Sequence, residues 1–420
     1  MGMTFAEKIL ARAAGKDSVI PGEIVMVRPA HLLTHDNTAA IIGKIGPELD
    51  KYGVVDPDLN VIVLDHVAPA ANEKTATGHQ KIRAFVKQYG VKNFFDVGEG
   101  ICHQVVMEQG LALPGSIIVG SDSHTCSYGA LGAFATGVDR TEAAALTLTG
   151  ETWLRVPPTI RVVLEGNFRP GVSAKDLVLT IIGELGSDGA NYMAVEFDGP
   201  AVERLTIEDR FTIANMGIEM GAKIAVFRVD EVTETYLGTI GVRKYQYDPV
   251  WADDDAEYAQ RIMMRLDGIE PVLALPHTVD NIDMASEHAG EPIHQCLLGT
   301  CTNGRLSDLR TAAKIMRGKK VHPSVRFLVL PASRSVLQAA MSKGYIQILI
   351  GAGATLLPPG CGPCLGAHMG VLAPGERCLS TANRNFKGRM GCKEAEIILA
   401  SPATVAHSAI HGVITVPEEV

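Results

Sequence analysis

Two loops carry the cysteines of this sequence that are best suited to hold a metal centre. Cys361 and Cys364 are separated by two residues within 358–366, where prolines and glycines keep the backbone out of a helix and let thiolates approach closely. Cys301 lies sixty positions upstream of Cys361, within residues 299–304. Three thiolates from two loops suit an iron–sulfur cluster with one iron that has no protein ligand. Such an iron can bind substrate and act as a Lewis acid.

The cysteines by themselves leave other functions open. Cys361 and Cys364 alone would suit a redox pair or half of a zinc site. A redox protein with an ordinary four-cysteine cluster would need Cys378 or Cys392 as its fourth ligand. A disulfide framework is not indicated, because the eight cysteines are spread over 420 residues without a secretory signal.

Histidines and aspartates follow three predicted strands in the first part of the chain. The strands are predicted at 61–65, 93–97 and 116–119, and the residues of interest at their ends are Asp65, His66, His103, Asp122 and His124. Open α/β sheets place their sites at the carboxyl ends of strands, so this recurrence favours a catalytic cluster. Each histidine alone would also fit a structural role, for example in a turn.

Other polar residues are candidates for binding an acid. Arg384 and Arg389 lie five positions apart in a loop with glycine and asparagines, among them Asn383. A guanidinium matches a carboxylate through two parallel hydrogen bonds, although such a loop would also suit pairing with surface acids. His35 begins a polar stretch that predicts a helix start or a substrate contact.

The elements that must position these residues alternate between strands and helices. Plentiful Gly, Ala, Val and Ile with few aromatic residues favour α/β layers, and the length indicates two or three domains. We predict three α/β domains, at 1–155, 156–275 and 276–420, the last carrying the three cluster cysteines. In the second domain Glu196 is the one acidic residue that is a candidate for the site. The alternative is a surface glutamate on an edge strand. The acidic stretch 253–267 predicts an exposed helix.

Composition argues against several classes of protein. A formal net charge of −9 disfavours binding of nucleic acid through a basic face. No apolar run approaches the roughly 20 residues of a membrane-spanning helix. The first residues predict an amphipathic helix with a capping box of Thr4 and Glu7, not a signal peptide. We therefore expect a soluble, cytoplasmic protein with no nucleic-acid or membrane partner.

Six of these motifs form an ordered series along the chain. They are Asp65-His66, His103-Gln104, Asp122-Ser123-His124, Gly299-Thr300-Cys301-Thr302-Asn303, Cys361-Gly362-Pro363-Cys364 and Asn383-Arg384-Asn385-Phe386-Lys387-Gly388-Arg389. Any one of them is weak, but the series is highly specific and covers essentially the whole length. Through this series of motifs the chain resembles the aconitase superfamily. The resemblance is strongest to the large subunits of two-chain hydro-lyases of the 3-isopropylmalate dehydratase, homoaconitase and 2,3-dimethylmalate dehydratase type.

The resemblance implies a cofactor and a set of site residues. The cofactor is one [4Fe–4S] cluster with one open iron, and the implied ligands are Cys301, Cys361 and Cys364. The implied catalytic pairs are His66 with Asp65, His103 with Asp122, and His124 with Glu196. The implied substrate contacts are His35, Ser123, Asn383, Arg384 and Arg389.

The resemblance also implies an architecture, a partner and a reaction. We expect an aconitase-like fold, with three α/β domains around a central cluster cleft. Single-chain aconitases continue into a swivelling fourth domain that supplies a serine base, whereas this chain stops at Val420. A separate small subunit is therefore expected to supply the base and the specificity loop.

The implied reaction is dehydration and rehydration of a malate-type acid. The expected case converts 2-isopropylmalate to 3-isopropylmalate in leucine biosynthesis, with homoaconitate and dimethylmalate as alternative substrates. An RNA-binding regulator, which some single-chain relatives become, is an alternative from another class. The acidic balance disfavours it, because RNA binding depends on positive charge.

Overall fold

The computed structural model describes residues 2–417, and these form the mixed α/β architecture that the sequence predicts. Met1 and residues 418–420, which the predicted first and third domains include, lie outside the described residues. The helices are α1 (Phe5–Ala13), α2 (Thr38–Lys44), α3 (Gly46–Tyr52), α4 (Glu73–Tyr89), α5 (Cys102–Glu108), α6 (Arg140–Thr149), α7 (Ala174–Leu185), α8 (Ile207–Asn215), α9 (Glu231–Thr239), α10 (Leu306–Met316), α11 (Arg334–Ser342), α12 (Tyr345–Ala352) and α13 (Pro402–His411). The strands are β1 (Ile24–Val27), β2 (His31–Thr34), β3 (Asn60–Val63), β4 (Asn93–Phe95), β5 (Ile117–Gly120), β6 (Phe134–Gly137), β7 (Thr152–Arg155), β8 (Thr159–Glu165), β9 (Ala194–Asp198), β10 (Ile224–Phe227), β11 (Gln260–Arg265), β12 (Val272–Ala274), β13 (Ile282–Met284), β14 (Gln295–Leu298), β15 (Arg326–Val329), β16 (Thr355–Leu356), β17 (Arg377–Ser380) and β18 (Glu396–Leu399).

Five parallel strands form the first sheet, in the order β4-β3-β2-β5-β6. The chain order reverses between β2 and β5, because β3 and β4 extend to one side and β5 and β6 to the other. At such a reversal the loops leave a crevice at the carboxyl ends of the strands. His35 follows β2, Asp122 follows β5, and Asp65 follows β3, so this edge of the sheet collects the polar residues. A separate antiparallel ribbon pairs β1 with β7.

A four-stranded parallel sheet follows, in the order β10-β9-β8-β11. Glu196 lies on the inner strand β9 and is fully buried, so the alternative of a surface glutamate on an edge strand is wrong. The predicted helix at 253–267 is also wrong, because this stretch contains the edge strand β11. There Met264 is buried and Ile262 half-buried while their neighbours are exposed, the alternation of an edge strand that the acidic composition obscured.

Seven strands form the third sheet, in the order β13-β12-β18-β17-β14-β15-β16. The strands from β18 to β16 pair in parallel, and β12 and β13 add antiparallel pairs at one edge. Cys301 follows β14, Cys361 follows β16, and Asn383 follows β17. Because the carboxyl ends of parallel strands share one edge, both cysteine loops and the arginine loop converge there.

One buried apolar core extends through all three predicted domains. It includes Val61 of the first sheet, Phe197 of the second and Leu297 of the third. This shared core holds the three sheets together around the edges that carry the polar loops, while the domain boundaries themselves stay a prediction. Among the helices of residues 2–417, none is both long and apolar enough to cross a membrane.

Candidate active site

The polar edges of the first and third sheets face a common cavity of about 240 Å³. Most residues selected from the sequence line it: His35, Asp65, His66, His103, Asp122, His124, Cys301, Cys361, Cys364, Arg384 and Arg389. Its lining further includes Asn37, Ile101, Ser121, Arg140 and Leu365. Thiols, imidazoles, carboxylates and guanidiniums in one cavity can combine metal binding with acid–base chemistry on a charged substrate.

Asp122 is the centre of a histidine–carboxylate cluster. His66 Nε2 lies 3.2 Å from Asp122 Oδ2, and His103 Nε2 lies 2.9 Å from Asp122 Oδ1. His66 Nδ1 lies 2.7 Å from Asp65 Oδ1. One ligand atom each from His103, Asp122 and His124 lies within 4.8 Å of the others. The structure therefore brings together the pairs His66–Asp65 and His103–Asp122, and it joins them through Asp122.

The carboxylates of this cluster favour a charged imidazole at His66. Burial opposes its protonation, but the charge of Asp65 and the hydrogen bonds to Asp122 and Asp65 raise the pKa of His66 well above its usual value. The ring of His35 stacks on that of His66, with 3.7 Å between the ring centroids. Burial and the charge of His66 lower the pKa of His35 to about 4. At neutral pH, His66 is therefore a proton donor and His35 is neutral.

His124 pairs with Glu219, so the predicted pair of His124 with Glu196 is wrong. His124 Nε2 lies 2.8 Å from Glu219 Oε1, and the two side chains are only 5% and 8% exposed. Burial and the charge of Arg384 oppose protonation of His124, yet its bonds to Asp122 and Glu219 raise its pKa. Arg384 Nε also lies 2.8 Å from Glu219 Oε1. Glu219 thus orients an imidazole and a guanidinium of the cavity together.

Glu196 instead contacts the N-terminal helix, away from the cavity. Its Oε1 accepts from the backbone N–H of Phe5 at 2.7 Å, and its Oε2 accepts from the hydroxyl of Tyr258 at 3.0 Å. Burial raises the pKa of Glu196 to about 7. The sequence indicated a carboxylate among apolar residues, but it carried no signal for which partner that carboxylate would meet.

Paired substitutions of the two glutamates test these assignments. Glu219→Gln is expected to reduce kcat about 100-fold for a reaction in this cavity, because His124 and Arg384 both lose their charged partner. Glu196→Gln keeps the shape of the side chain and an acceptor for the N–H of Phe5, and its NH2 group can donate to the Tyr258 hydroxyl instead of accepting from it, so we expect activity within about twofold of the wild type. Steady-state kinetics on both variants, with thermal unfolding as the check on folding, measure the difference. Loss of activity only in Glu196→Gln would contradict the geometry.

N–H donors point at the sulfur atoms of the cysteine loops. Asn383 Nδ2 donates to Cys301 Sγ at 3.0 Å, and Arg389 Nη2 donates to Cys364 Sγ at 3.4 Å. The hydrogen bond from Cys361 and then the charge of Arg389 hold the pKa of Cys364 well below its usual value. Within residues 2–417 the buried Arg389 Nε finds no hydrogen-bond partner. Three thiols, two of which accept from N–H donors, fit an iron–sulfur cluster, and a guanidinium with an unpartnered N–H fits an acidic ligand beside it.

The loop 358–366 packs directly against the turn that carries Asp65. The N–H of Cys361 donates to the carbonyl oxygen of Asp65 at 2.8 Å. A Cβ atom on Gly360 would lie only 2.9 Å from that oxygen, so glycine permits the close approach. The Asp65 carboxylate also accepts from the N–H of Cys102 at 2.8 Å. These contacts set the distance between the cysteine loop and the first histidine pair.

Buried Arg305 connects the Cys301 loop to α5, the helix that carries His103. Its Nη2 donates to the carbonyl of Cys301 at 2.7 Å, and its Nη1 donates to the carbonyl of Thr302 at 2.6 Å. Its Nε donates to Gln104 Oε1 at 3.1 Å. One side chain thus positions the Cys301 loop relative to α5 and so relative to His103.

Buried Lys175 of α7 holds the loop that carries Asn383 and Arg384. Its Nζ donates to the carbonyl of Thr381 at 2.9 Å and to the next carbonyl at 2.6 Å. Burial lowers the pKa of Lys175 to about 7. Arg384 Nη2 donates to Ser123 Oγ at 3.1 Å, which places Ser123 beside the cavity. The arginine loop is therefore tied to the first and second sheets as well as to its own.

The cysteines of the alternative four-cysteine cluster lie elsewhere. Cys378 is buried within β17, where Gln295 Nε2 donates to its sulfur at 3.8 Å. Cys392 Sγ lies 3.3 Å from a carboxylate oxygen of Glu394. Neither residue lines the cavity, so the geometry does not favour either as a fourth ligand.

Sequence reasoning missed several residues of the site. Asn215 Oδ1 accepts from Asn383 Nδ2 at 3.2 Å, and Asn37 Nδ2 donates to the carbonyl of Ser121 at 3.1 Å. Asn37 had a signal, because it lies in the polar stretch after β2. Asn215 and Glu219 had none, because they lie among apolar residues in or after α8 and reach the site only through the packing of the second sheet.

Comparisons with known proteins show the family of this chain. A profile of the aconitase family (aconitate hydratase) matches residues 7–291 and 281–412. The 3-isopropylmalate dehydratase large subunit 1 of Methanopyrus kandleri is 47% identical over 421 residues, which cover 99% of each chain. The 3-isopropylmalate dehydratase large subunit of Aquifex aeolicus is 48% identical over 431 residues, covering 100% of this chain and 98% of its own.

A relative with a different name is equally similar. The probable methanogen homoaconitase large subunit of Methanosarcina mazei is 49% identical over 390 residues, covering 93% of this chain and 98% of its own. The matches extend over nearly the full length of both partners in each comparison. The chain therefore belongs to the aconitase family.

Proposed function

We propose that this chain is the large subunit of 3-isopropylmalate dehydratase, a hydro-lyase of leucine biosynthesis. The reaction removes water from 2-isopropylmalate to form isopropylmaleate and then adds water at the neighbouring carbon. The observation that carries the proposal is the single cavity that collects three thiols, the histidine–carboxylate cluster and two guanidiniums. Full-length relatives at 47–48% identity that carry this name support it.

A [4Fe–4S] cluster is implied by the aconitase family, and we propose Cys301, Cys361 and Cys364 as its ligands. The N–H donors at Cys301 and Cys364 support this assignment, because they compensate negative charge on sulfur. When bound, such a cluster supplies a Lewis-acidic iron that makes hydroxide a better leaving group.

We propose that His66 delivers the proton to the departing hydroxide and recovers it in the reverse direction. Its side chain is 14% exposed in the cavity, and both ring nitrogens lie within 3.2 Å of a carboxylate oxygen. The bond from Nδ1 to Asp65 fixes the ring, and the Nε2 proton, which otherwise bonds to Asp122, is the one that passes to the hydroxide. His103 and His124, which share Asp122 with it, keep that carboxylate ionised.

Arg384 and Arg389 are proposed to bind a carboxylate of the substrate beside the reacting carbons. Arg384 is oriented by Glu219 and Ser123, and Arg389 retains an unpartnered buried Nε. Removal of the α-proton places negative charge on the adjacent carboxylate, which fixed guanidiniums stabilise. The base that removes this proton is proposed to come from a small partner subunit, since the relatives are named large subunits.

The direct test is an anaerobic assay of the chain with its cluster rebuilt, with and without the small subunit. We expect conversion of 3-isopropylmalate only in the two-subunit assembly. The absorbance of the product isopropylmaleate monitors the reaction. Homoaconitate and 2,3-dimethylmalate serve as comparison substrates, because one similar relative is named a homoaconitase subunit. Turnover by the chain alone would contradict the proposed partner, and a higher kcat/KM on homoaconitate would reassign the substrate.

A further inference from the structure

We propose that Arg140 is a substrate-binding residue, whose guanidinium binds the carboxylate of the 2-hydroxy acid that faces the mouth of the cavity. Arg140 is the first residue of α6, lines the cavity and is exposed. No motif of the sequence includes it. The inference rests on the proposed function, because it names a further contact for the same class of acid.

The cationic side chains around the cavity differ in whether they already have a partner. Arg384 is paired with Glu219, and Arg389 donates to the sulfur of Cys364. The side chain of Arg140, in contrast, has neither a hydrogen bond nor an ion pair among residues 2–417. It is therefore the one lining guanidinium in the described chain whose whole donor fork remains available.

The acidic side chains near Arg140 already have other partners. Asp139 directly precedes Arg140, but its Oδ1 caps α6 by accepting from the N–H groups of Thr141 and Glu142. The carboxylates that line the cavity, Asp65 and Asp122, bond to histidines. Among residues 2–417 none of these carboxylates pairs with Arg140, so its guanidinium is available to an anion that enters the cavity.

A dianionic substrate needs cations at two places. Arg389 contacts Cys364, and Arg384 shares Glu219 with His124, so both can hold one carboxylate near the reacting carbons. A second carboxylate that faces outward would leave an uncompensated charge unless a cation meets it at the mouth. Arg140 supplies that charge with a planar fork that matches a carboxylate.

This contact lies away from the bonds that change, so it should strengthen binding of substrate and transition state equally. In the assembled, cluster-loaded enzyme, Arg140→Gln is expected to raise KM about tenfold with kcat within about twofold, which corresponds to about 1.4 kcal/mol of binding. Arg140→Lys keeps the charge without the fork, so it should raise KM only about threefold. The effect of Arg140→Gln should shrink as salt is added.

The matched control is Arg317→Gln, which removes the same charge at an exposed position after α10 that does not line the cavity. It should leave KM unchanged. Calorimetric titration of malate into the same holoenzymes gives a second readout, in which Arg140→Gln should weaken binding about tenfold. If no acid is turned over but malate binding still depends on Arg140, the proposed reaction fails while this inference stands.

Other outcomes would overturn the inference. One is an unchanged KM and unchanged malate binding in Arg140→Gln while the wild type is active. Another is a variant that needs more small subunit for full activity but then shows a normal KM, since this would make Arg140 a subunit contact. A fall in kcat alone would also contradict it.

Discussion

Replacing Cys301 with alanine is expected to abolish assembly of the cluster and to reduce activity by about 1,000-fold or more. The Lewis-acid contribution of a metal centre is worth several kcal/mol, and each 1.36 kcal/mol is a factor of ten in rate. Cys301 follows β14, whereas Cys361 and Cys364 follow β16, so removing Cys301 leaves only one loop to hold a metal. Asn383 Nδ2 also loses the sulfur to which it donates.

The measurement is anaerobic reconstitution followed by iron content, absorbance and electron paramagnetic resonance with and without substrate. Cys378→Ala is the matched control, because it removes a buried thiol from β17 outside the cavity. We expect it to keep both the cluster and most of the activity. A Cys301→Ala protein with intact cluster absorbance and full activity would refute the ligand assignment. Loss of the cluster in Cys378→Ala alone would favour a closed redox cluster instead.

Substitution of Asp122 by asparagine is expected to lower kcat by about 100- to 10,000-fold, the contribution of general acid catalysis. The carboxylate lies within 3.5 Å of a ring nitrogen of His66, His103 and His124. An amide of the same shape keeps the acceptor for the N–H of His124, which begins the turn after Asp122, so the local fold should survive. What is lost is the negative charge that the imidazoles share.

The sign of the pH effect follows from the raised pKa of His66. In the wild type His66 stays protonated up to its raised pKa, so activity that needs this proton is lost only above it. Without the charge of Asp122 that pKa falls, and the decline of kcat should move to lower pH. A pH–rate profile of both proteins measures this shift.

Asp230→Asn provides the matched control for Asp122→Asn. Asp230 also caps a helix, α9, and pairs with a buried cation, Arg210, but it lies away from the cavity. We expect its substitution to leave the pH profile of kcat unchanged. An Asp122→Asn enzyme that retains more than a tenth of the wild-type kcat with an unshifted profile would show that the cluster does not handle the proton.

Much of the fold was predictable because its signals are local. The helix at 73–89 ends at Gly90, which adopts a left-handed conformation, and β3 is the apolar run that precedes Asp65. Such patterns depend on neighbouring residues and on the turn chemistry of glycine. The strand β11 was missed for the same reason, since acidic neighbours hid its short alternation.

The sequence by itself determined the kinds of chemistry available to this protein. It contained three cysteines in two glycine-rich loops, histidines after parallel strands, and an arginine loop, each visible within a few residues. The tertiary structure alone decided which groups meet. His124 lies 95 positions from Glu219, and Arg384 lies 165 positions from it, so their contacts arise only when the edges of separate sheets pack together. Motifs record local spacing, whereas long-range packing sets which buried charges pair. For that reason only the tertiary structure identifies the carboxylate that pairs with His124.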